Sequence, residues 1–565
     1  MDDRPLTNKE PGYLSGIVRD VLAYLRRPAF LVPYLLCLIG AYGFFLTHYS
    51  VSVDDLEGPY YYTTGLLAQG RLSATLFHRL FGMVRNNTYL PDLIGILLLA
   101  LAGVLFCVLL DRVVHTSSRV PQLVFACLFV TYPLHSELFS YGGTSIAIGA
   151  GCLFVGLSLL YVLRYRQTRR WADLVRAGLW LLPACSWYES VLLIYVGFVF
   201  ALLLLEQFSD DPPSFRRFLI DGCVCAATLA AAFVCEFLLS RLVMLVCGVS
   251  ASHIASNGIG WRMESFSDFL GQLGWLLLCD FRDMVLTGLW YYPITEMGLT
   301  ILSLPVLAVV HTVKKKSAAV ACAYLGLWLT PGLLGFLQGY STAYRSCQAY
   351  AFLVSFYAFF LLWRLSFAGG RRVAYRVFCG LFCLCTVWQL SSINHCFVND
   401  WRRYEYEKYV VQEIGATLHR DYGVSKETPR TVVFVGSLPM SEDVKRNAYV
   451  RLDDWRAQAL RKMPLMDRYF ETFSDDGTYF LKPQQGGCQS YINWSIHAFD
   501  RVNDCTIRFF EWCGVDGIEQ GTWEQYEEAC AYADEHMPGW PSPYSIVDHG
   551  DYIVVNFGFE PYIGN

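Results

Sequence analysis

Charge is scarce in this chain. Only 16% of its 565 residues are charged, while 54% are hydrophobic and 16% aromatic, and the mean hydropathy is +0.34. That balance excludes an ordinary soluble domain and implies an integral membrane protein. A basic excess is absent as well. The 44 Lys and Arg face 49 Asp and Glu for a net charge of -5, with the acids gathered after residue 394, so nucleic acid is not expected as a partner. The chain has no Cys-x-x-Cys pair and no Gly-rich phosphate loop, so neither motif supplies a function. It also lacks a short apolar stretch followed by a small-residue cleavage site near the N-terminus, so the first hydrophobic segment is expected to remain as an anchor.

What the chain does have is a series of apolar runs near the roughly 20 residues that cross a bilayer core. The expected spans are Ala29–Thr47, Pro91–Leu110, Val120–Phe139, Gly142–Leu163, Trp171–Ser186, Val191–Leu205, Ile220–Val246, Gly298–Val310, Ala318–Phe336, Ala349–Trp363 and Val377–Ile393. That makes about eleven. The segment 260–293 is aromatic and moderately apolar but carries Asp280, Arg282 and Asp283. It is read as interfacial or re-entrant; as a full span it would invert everything after it.

Lys and Arg test this count, because cytoplasmic connections are enriched in them. Every second connection is basic: "RR" at 26–27, "DRVVHTSSR", "RYRQTRRWADLVR", "SFRRF", "HTVKKK" and "RLSFAGGRRVAYR". The alternate connections "YPLHSELFSYGG", "SWYES" and "GYSTAYRS" hold a single Arg between them, Arg345. The expected fold is therefore an α-helical polytopic membrane protein. A cytoplasmic segment 1–28 leads into a transmembrane domain 29–393, followed by an extracytoplasmic α+β domain 394–565. In that last domain Val411, Ile414 and Leu418 stand at helical spacing, predicting a helix along the membrane surface or packed under the domain. "TVVFVGS" reads as a buried strand, Thr522 and Gln525 as a capping box, and "YSIVDHGDYIVVNFG" as a hairpin. Cys488, Cys505, Cys513 and Cys530 allow two disulfides in an oxidising exterior; the alternative is buried free thiols.

Polar residues then collect on the outer side: Asp54, Asp55, Glu57, Arg71, His78 and Arg79 in the first loop, His135 and Glu137 in the second, Tyr188 and Glu189 in the third, Tyr344 and Arg345 in the last. Ionisable groups at span ends face a cavity, a partner or lipid headgroups. Acids beside a membrane exterior with an Arg across from them suit transfer from a lipid-phosphate donor. A carboxylate accepts the proton of an attacking hydroxyl, and a guanidinium neutralises the departing phosphate through a planar fork. Adjacent residues point apart on helix or strand, so one Asp is expected as base and the other as a positioning or metal group. For the Tyr residues, a stacking surface and an interfacial aromatic belt are both open readings.

"SVDDLEGPYYYTTGLLAQGR", "FVTYPLHSELFSYGG", "WYES", "YSTAYRSCQAYAF" and the tail around "YINWSIHAFDRVNDCTIRFFEWCG" together resemble the type II glucosyltransferase domain family, within the GT-C class of polytopic glycosyltransferases. The resemblance runs from about residue 29 to 565. It implies an inverting transferase that moves a sugar, glucose in the best-known members, from a polyprenyl-phosphate carrier to a bacterial surface polysaccharide or other envelope glycan. By the same resemblance the acidic pair maps onto Asp54 and Asp55, the phosphate-binding Arg onto Arg345, and a Glu after the third span onto Glu137. Glu57 and Gly58 stand where members often carry a basic residue, which leaves donor-phosphate binding by Arg71 or Arg79 open. Glu57, Glu137, His135, Tyr188, Glu189 and Tyr344 are the expected sugar or acceptor ligands. "WYES" is more acidic than the amide-bearing turn of the family. No cofactor is expected; a divalent metal on Asp54 or Asp55 is allowed but not required. The rivals are a lipid-linked-sugar transporter or flippase, which calls for midplane polar groups and internal repeats, and a non-catalytic membrane scaffold of surface-polymer assembly.

Overall fold

The computed structural model describes residues 13–48, 50–51, 64–81, 89–114, 118–141, 144–251, 265–281, 303–339, 344–366, 372–438, 450–452, 458, 462, 470–472, 479–481 and 502–558. A short helix, α1 (Tyr13–Leu25), precedes α2 (Pro28–Thr47), which opens with proline in its first turn, where a missing N–H goes unnoticed. The bundle continues through α3 (Leu72–Leu80), α4 (Tyr89–Val113), α5 (Val120–Val130), α6 (Leu134–Phe139), α7 (Ser145–Thr168), α8 (Trp171–Trp187), α9 (Leu192–Glu206) and α10 (Phe215–Cys247). It is completed by α11 (Phe266–Phe281), α12 (Leu304–Lys315), α13 (Ala318–Leu329), α14 (Leu333–Gln338), α15 (Ala349–Ser366) and α16 (Arg372–Tyr422). Among the described residues seven helical segments are long and apolar enough to cross a membrane: α2, α4, α7, Glu189–Glu206, α10, α15 and α16.

The way these helices are buried fits lipid better than water. In α10 only a narrow stripe is buried, including Phe218, Cys225, Ala232, Ser240 and Met244, while Phe233, Phe237, Leu238, Leu242 and Leu245 on its other faces are exposed. Apolar side chains on exposed faces suit a helix that meets a membrane. The interior is drier still: Phe106, Phe125, Phe129, Phe198 and Phe352, from α4, α5, α9 and α15, stack into one aromatic cluster.

Helix directions define two ends of the bundle. Gly95 near the start of α4 lies against Ser145 and Gly149 at the start of α7 so closely that neither glycine has room for a Cβ, and the two helices run parallel. The Asn394 amide donates to the Gly40 carbonyl at 2.6 Å, setting α16 parallel to α2. At one end Arg166 of α7 reaches Glu206 of α9 and Asp221 of α10, and Arg169 pairs with the same Asp221. Asp221 is 1% exposed, and removing one partner from such a buried network costs roughly 3–5 kcal/mol. Arg112 and Arg164 meet on Tyr13 at this end, and Lys315 and Arg364 on Phe208 just after α9, so it is the basic end. The other, the loop end, gathers the described residues 48, 50–51, 64–72, 131–141, 188–191 and 344–348.

Four of the expected spans have clearly different limits. Val120–Phe139 is broken: α5 stops at Val130 and α6 starts at Leu134, because Pro133 has no N–H for the helical ladder. Ala318–Phe336 is interrupted the same way around Pro331, between α13 and α14. Val377–Ile393 is the middle of α16, whose 51 residues continue without interruption past residue 394. Of Gly298–Val310, residues 298–302 lie outside the described residues, and α12 runs on to Lys315. Of the aromatic segment 260–293, α11 is described and packs on α14, with Gln272 donating to the Gly339 carbonyl; its remainder, with Arg282 and Asp283, lies outside the described residues, as does the Asp280 side chain.

The second half of α16 packs under a sheet. Four strands, β1 (Arg430–Val435), β5 (Ile518–Glu519), β6 (Ile546–Asp548) and β7 (Ile553–Asn556), are ordered β5-β1-β7-β6. β1 is parallel to both neighbours, with Val433 opposite Val554. β6 and β7 form the expected hairpin, turning at Gly550 with φ +90°. Alternation along β1 sends Val432 and Phe434 to one face, against Val411, Ile414 and Leu418 of α16 and Phe510 of α17 (Asp504–Trp512). Val433 and Val435 meet Ala529 and Ala533 of α18 (Trp523–His536) on the other. α18 starts with the expected Thr522–Gln525 capping box. A separate antiparallel sheet, β2 (Val450–Leu452), β4 (Tyr479–Leu481) and β3 (Phe470–Thr472), is ordered β2-β4-β3. Cys513 and Cys530 are free thiols. Cys513 and Cys530 pack on opposite faces of the four-stranded sheet, and Cys505 is eight residues from Cys513, about 12 Å along a helix and beyond disulfide reach. Cys488 lies outside the described residues.

Candidate functional site

Both ends of the first loop are fixed at the loop end of the bundle. On its upstream side the Ser50 hydroxyl donates to Asp400 Oδ2 at 2.6 Å, and Asp400 pairs with Arg403 one turn along α16. Val51 is fully buried in the same core as Tyr404, Val410 and the underside of the sheet. On its downstream side the Arg71 guanidinium lies 4.8 Å from the centroid of the Tyr188 ring, a cation–π contact. The Ser73 N–H donates to Ser186 Oγ at 2.7 Å. Ser240 Oγ of α10 stands between the Gly70 carbonyl, 3.2 Å away, and the Glu236 carboxylate. Asp54, Asp55 and Glu57, between these two anchors, lie outside the described residues.

Arg71, Tyr188, Glu189 and Glu236 thus form one group. Tyr188 is buried under Arg71, whereas Glu189 opens a 3-10 turn at the tip of the α8–α9 hairpin and is exposed. The Ser186 hydroxyl also faces Glu236. Glu236 was not among the sequence candidates, although an acid inside an apolar 33-residue helix is a signal by itself. His78 is buried in α3 and Arg79 is exposed.

A second group forms where Pro133 breaks the helix. α6 packs against the 3-10 turn Tyr344–Ser346. His135 is fully buried, with Nε2 2.8 Å from the Phe129 carbonyl and Nδ1 2.8 Å from Gln348 Oε1. Both ring nitrogens are engaged by protein. His135 thereby ties α6 to the start of α15. Gln348, fully buried, also donates to the carbonyls of Leu134 and Arg345, each at 3.2 Å. Gln348 carries no sequence signal of this role, because Leu134 and His135 are more than 200 residues away. Arg345 itself is half-buried. Its Nη1 donates to Tyr141 OH at 3.2 Å, and its guanidinium lies 5.2 Å from the centre of the Tyr141 ring. Glu137 is fully buried in α6. Tyr344 is described by its backbone only.

The loop end can therefore offer an anion a planar guanidinium on a turn that Gln348 holds in place. Arg71 is fixed face-on to an aromatic ring, and Glu189 is open to a polar ligand. No cluster of three or more His, Cys, Asp or Glu able to hold a metal occurs among the described residues. The sequence matches the family described as Glucosyl transferase GtrII over residues 43–362, from the last turn of α2 to within α15. No curated protein and no solved structure matches the chain.

Proposed function

The chain belongs to the GtrII glucosyl transferase family, and from that premise we propose that it is a polytopic GT-C glycosyltransferase working at the loop end of its bundle. The donor is a polyprenyl-phosphate-linked sugar, the acceptor a surface polysaccharide or other envelope glycan, and the reaction inverts the anomeric centre. The observation that carries this reading is the pair of anchors, Ser50 and Val51 on α16 and Arg71 on Tyr188, which hold both ends of the acidic loop at the end where Arg345 stands. Basic connections at the opposite end favour a cytoplasmic assignment there and an extracytoplasmic one for the loop end.

In the reaction, Asp54 or Asp55 takes the proton of an acceptor hydroxyl as its oxygen attacks the anomeric carbon. The bond from that carbon to the donor phosphate breaks, and the electron pair leaves with the phosphate. Arg345, with Arg71 near the acidic loop, meets that charge with preorganised donors. Glu137 and Glu189 bind sugar or acceptor hydroxyls, and Tyr188 and Tyr344 contribute aromatic surface. A lipid phosphate monoester leaves at headgroup depth and needs Arg and hydrogen-bond donors rather than a metal, so transfer is expected to persist in chelator.

The test uses purified protein with a polyprenyl-phosphate glucose donor. Asp54→Asn and Asp55→Asn are expected to leave donor binding intact while turnover falls at least about 100-fold for the base. Full transfer by both variants, or robust transfer from a nucleotide sugar with no lipid carrier, would overturn the assignment.

A further inference from the structure

At the basic end, far along the bundle from Arg345, α1, α2, α4 and α5 enclose a cavity of about 730 Å³. Arg27, Arg112 and Arg119 line it together with Asp20 and Asp111, so its charge is net positive. The acids are already occupied. Asp111 accepts from the Tyr24 hydroxyl and the Gln122 amide, and Asp20 from Arg112 at 2.6 Å. Arg119 stacks 4.1 Å above the Tyr24 ring and stands 3.9 Å from Asp111, a long separation for an ion pair. Its Nη1 and the Nε of Arg112 are buried with no hydrogen-bond acceptor among the described residues, and the Arg27 side chain is exposed at the α1–α2 turn. Buried guanidinium donors lacking an acceptor are costly and call for an anion.

The rest of the wall says which kind. Phe30 of α2, Val108 of α4 and Leu123 of α5 give the cavity an apolar half continuous with helices of the bundle. Along α1, Leu14, Val18 and Leu22 are exposed at four-residue spacing, while Ile17 and Tyr24 face the core. That stripe lays α1 in the interfacial plane, so the cavity opens at headgroup depth.

We propose that this cavity is a binding site for the phosphate headgroup of an anionic glycerophospholipid, held by Arg27 and Arg119 with its upper acyl carbons against Phe30 and Leu123. Basic pockets between transmembrane helices are suited to such headgroups, and the guanidinium fork matches two phosphate oxygens at once. The site is separate from the transfer site and does not depend on that reading.

The experiment measures retention of phosphatidylglycerol against phosphatidylcholine on the full-length protein in detergent, by native mass spectrometry. Wild type is expected to retain phosphatidylglycerol at least about tenfold better. With each basic residue contributing roughly fivefold at such a surface, Arg27→Gln should remove most of this preference and Arg27→Gln with Arg119→Gln all of it. Lys314→Gln, a basic-end residue outside the cavity, should keep it. Arg27→Gln alone keeps the test valid should the double variant misfold. Absence of a preference in wild type, or its survival in a folded Arg27→Gln protein, would overturn the proposal. Displacement of the lipid by an equal concentration of inorganic phosphate or glycerol phosphate would do so too, by making the ligand a free anion.

Discussion

Replacing Gln348 by Leu tests whether the Arg345 turn is held by the buried amide. The substitution nearly conserves volume while removing three hydrogen bonds: the one with His135 Nδ1 and those to the Leu134 and Arg345 carbonyls. Each buried polar group left without a partner costs roughly 1–3 kcal/mol, carbonyls somewhat less than ring nitrogens, and the leucine recovers part of this through apolar burial. The net loss should be about 2–5 kcal/mol, read as a lowered thermal unfolding midpoint in detergent. Because the Arg345 carbonyl loses a donor, the KM for a polyprenyl-phosphate sugar should also rise. His135→Phe should give a similar thermal loss, and the double variant less than the sum, with a coupling of about 1–3 kcal/mol. An unchanged midpoint and KM in Gln348→Leu would refute the reasoning, and strict additivity would mean that the two residues act separately.

Two further outcomes follow from single groups. Arg345→Lys keeps the charge but loses the two-donor fork, so transfer should fall by about tenfold, and Arg345→Ala by about 100-fold or more. Wild-type KM and kcat in both would make Arg345 a headgroup anchor. Burial pushes the Cys513 thiol up to about 12, so it stays protonated at neutral pH and gains thiolate character only as pH climbs toward that value. A maleimide at about pH 7.5 should leave Cys513 intact in folded protein and label it after denaturation; rapid labelling of Cys513 in the folded chain would contradict the packing described.

Much of this was legible in the sequence, though unevenly. The alternation of basic and neutral connections depends on composition alone, and it corresponds to the two ends of the bundle. The capping box at Thr522 and the hairpin at Gly550 are local, so local rules found them. Pro133 and Pro331 were visible too, yet a hydropathy sum runs across a proline that the hydrogen-bond ladder cannot cross. The composition changes at residue 394 because the surroundings of α16 change there, whereas its backbone bonds do not depend on what surrounds it. At His135 the contact was not legible, because a lone histidine at a span end carries no sign that a glutamine 213 residues away will meet it. Glu236 needed only a closer look at an apolar run.

The unbroken course of α16 has a consequence in torsion. At 1.5 Å per residue its 51 residues make a rod of about 77 Å, joined to α2 through Asn394 near its middle and to the sheet through Val411, Ile414 and Leu418 near its end. A helix transmits rotation as well as distance, so the azimuth of the four-stranded sheet about the rod is fixed by residue count. One residue inserted between Asn394 and Tyr404 would turn the sheet by about 100° relative to α2 and pull the pocket for Val51 away from it, whereas seven would nearly restore the phase. The spacing along this helix therefore sets the angle at which the sheet faces the loop end.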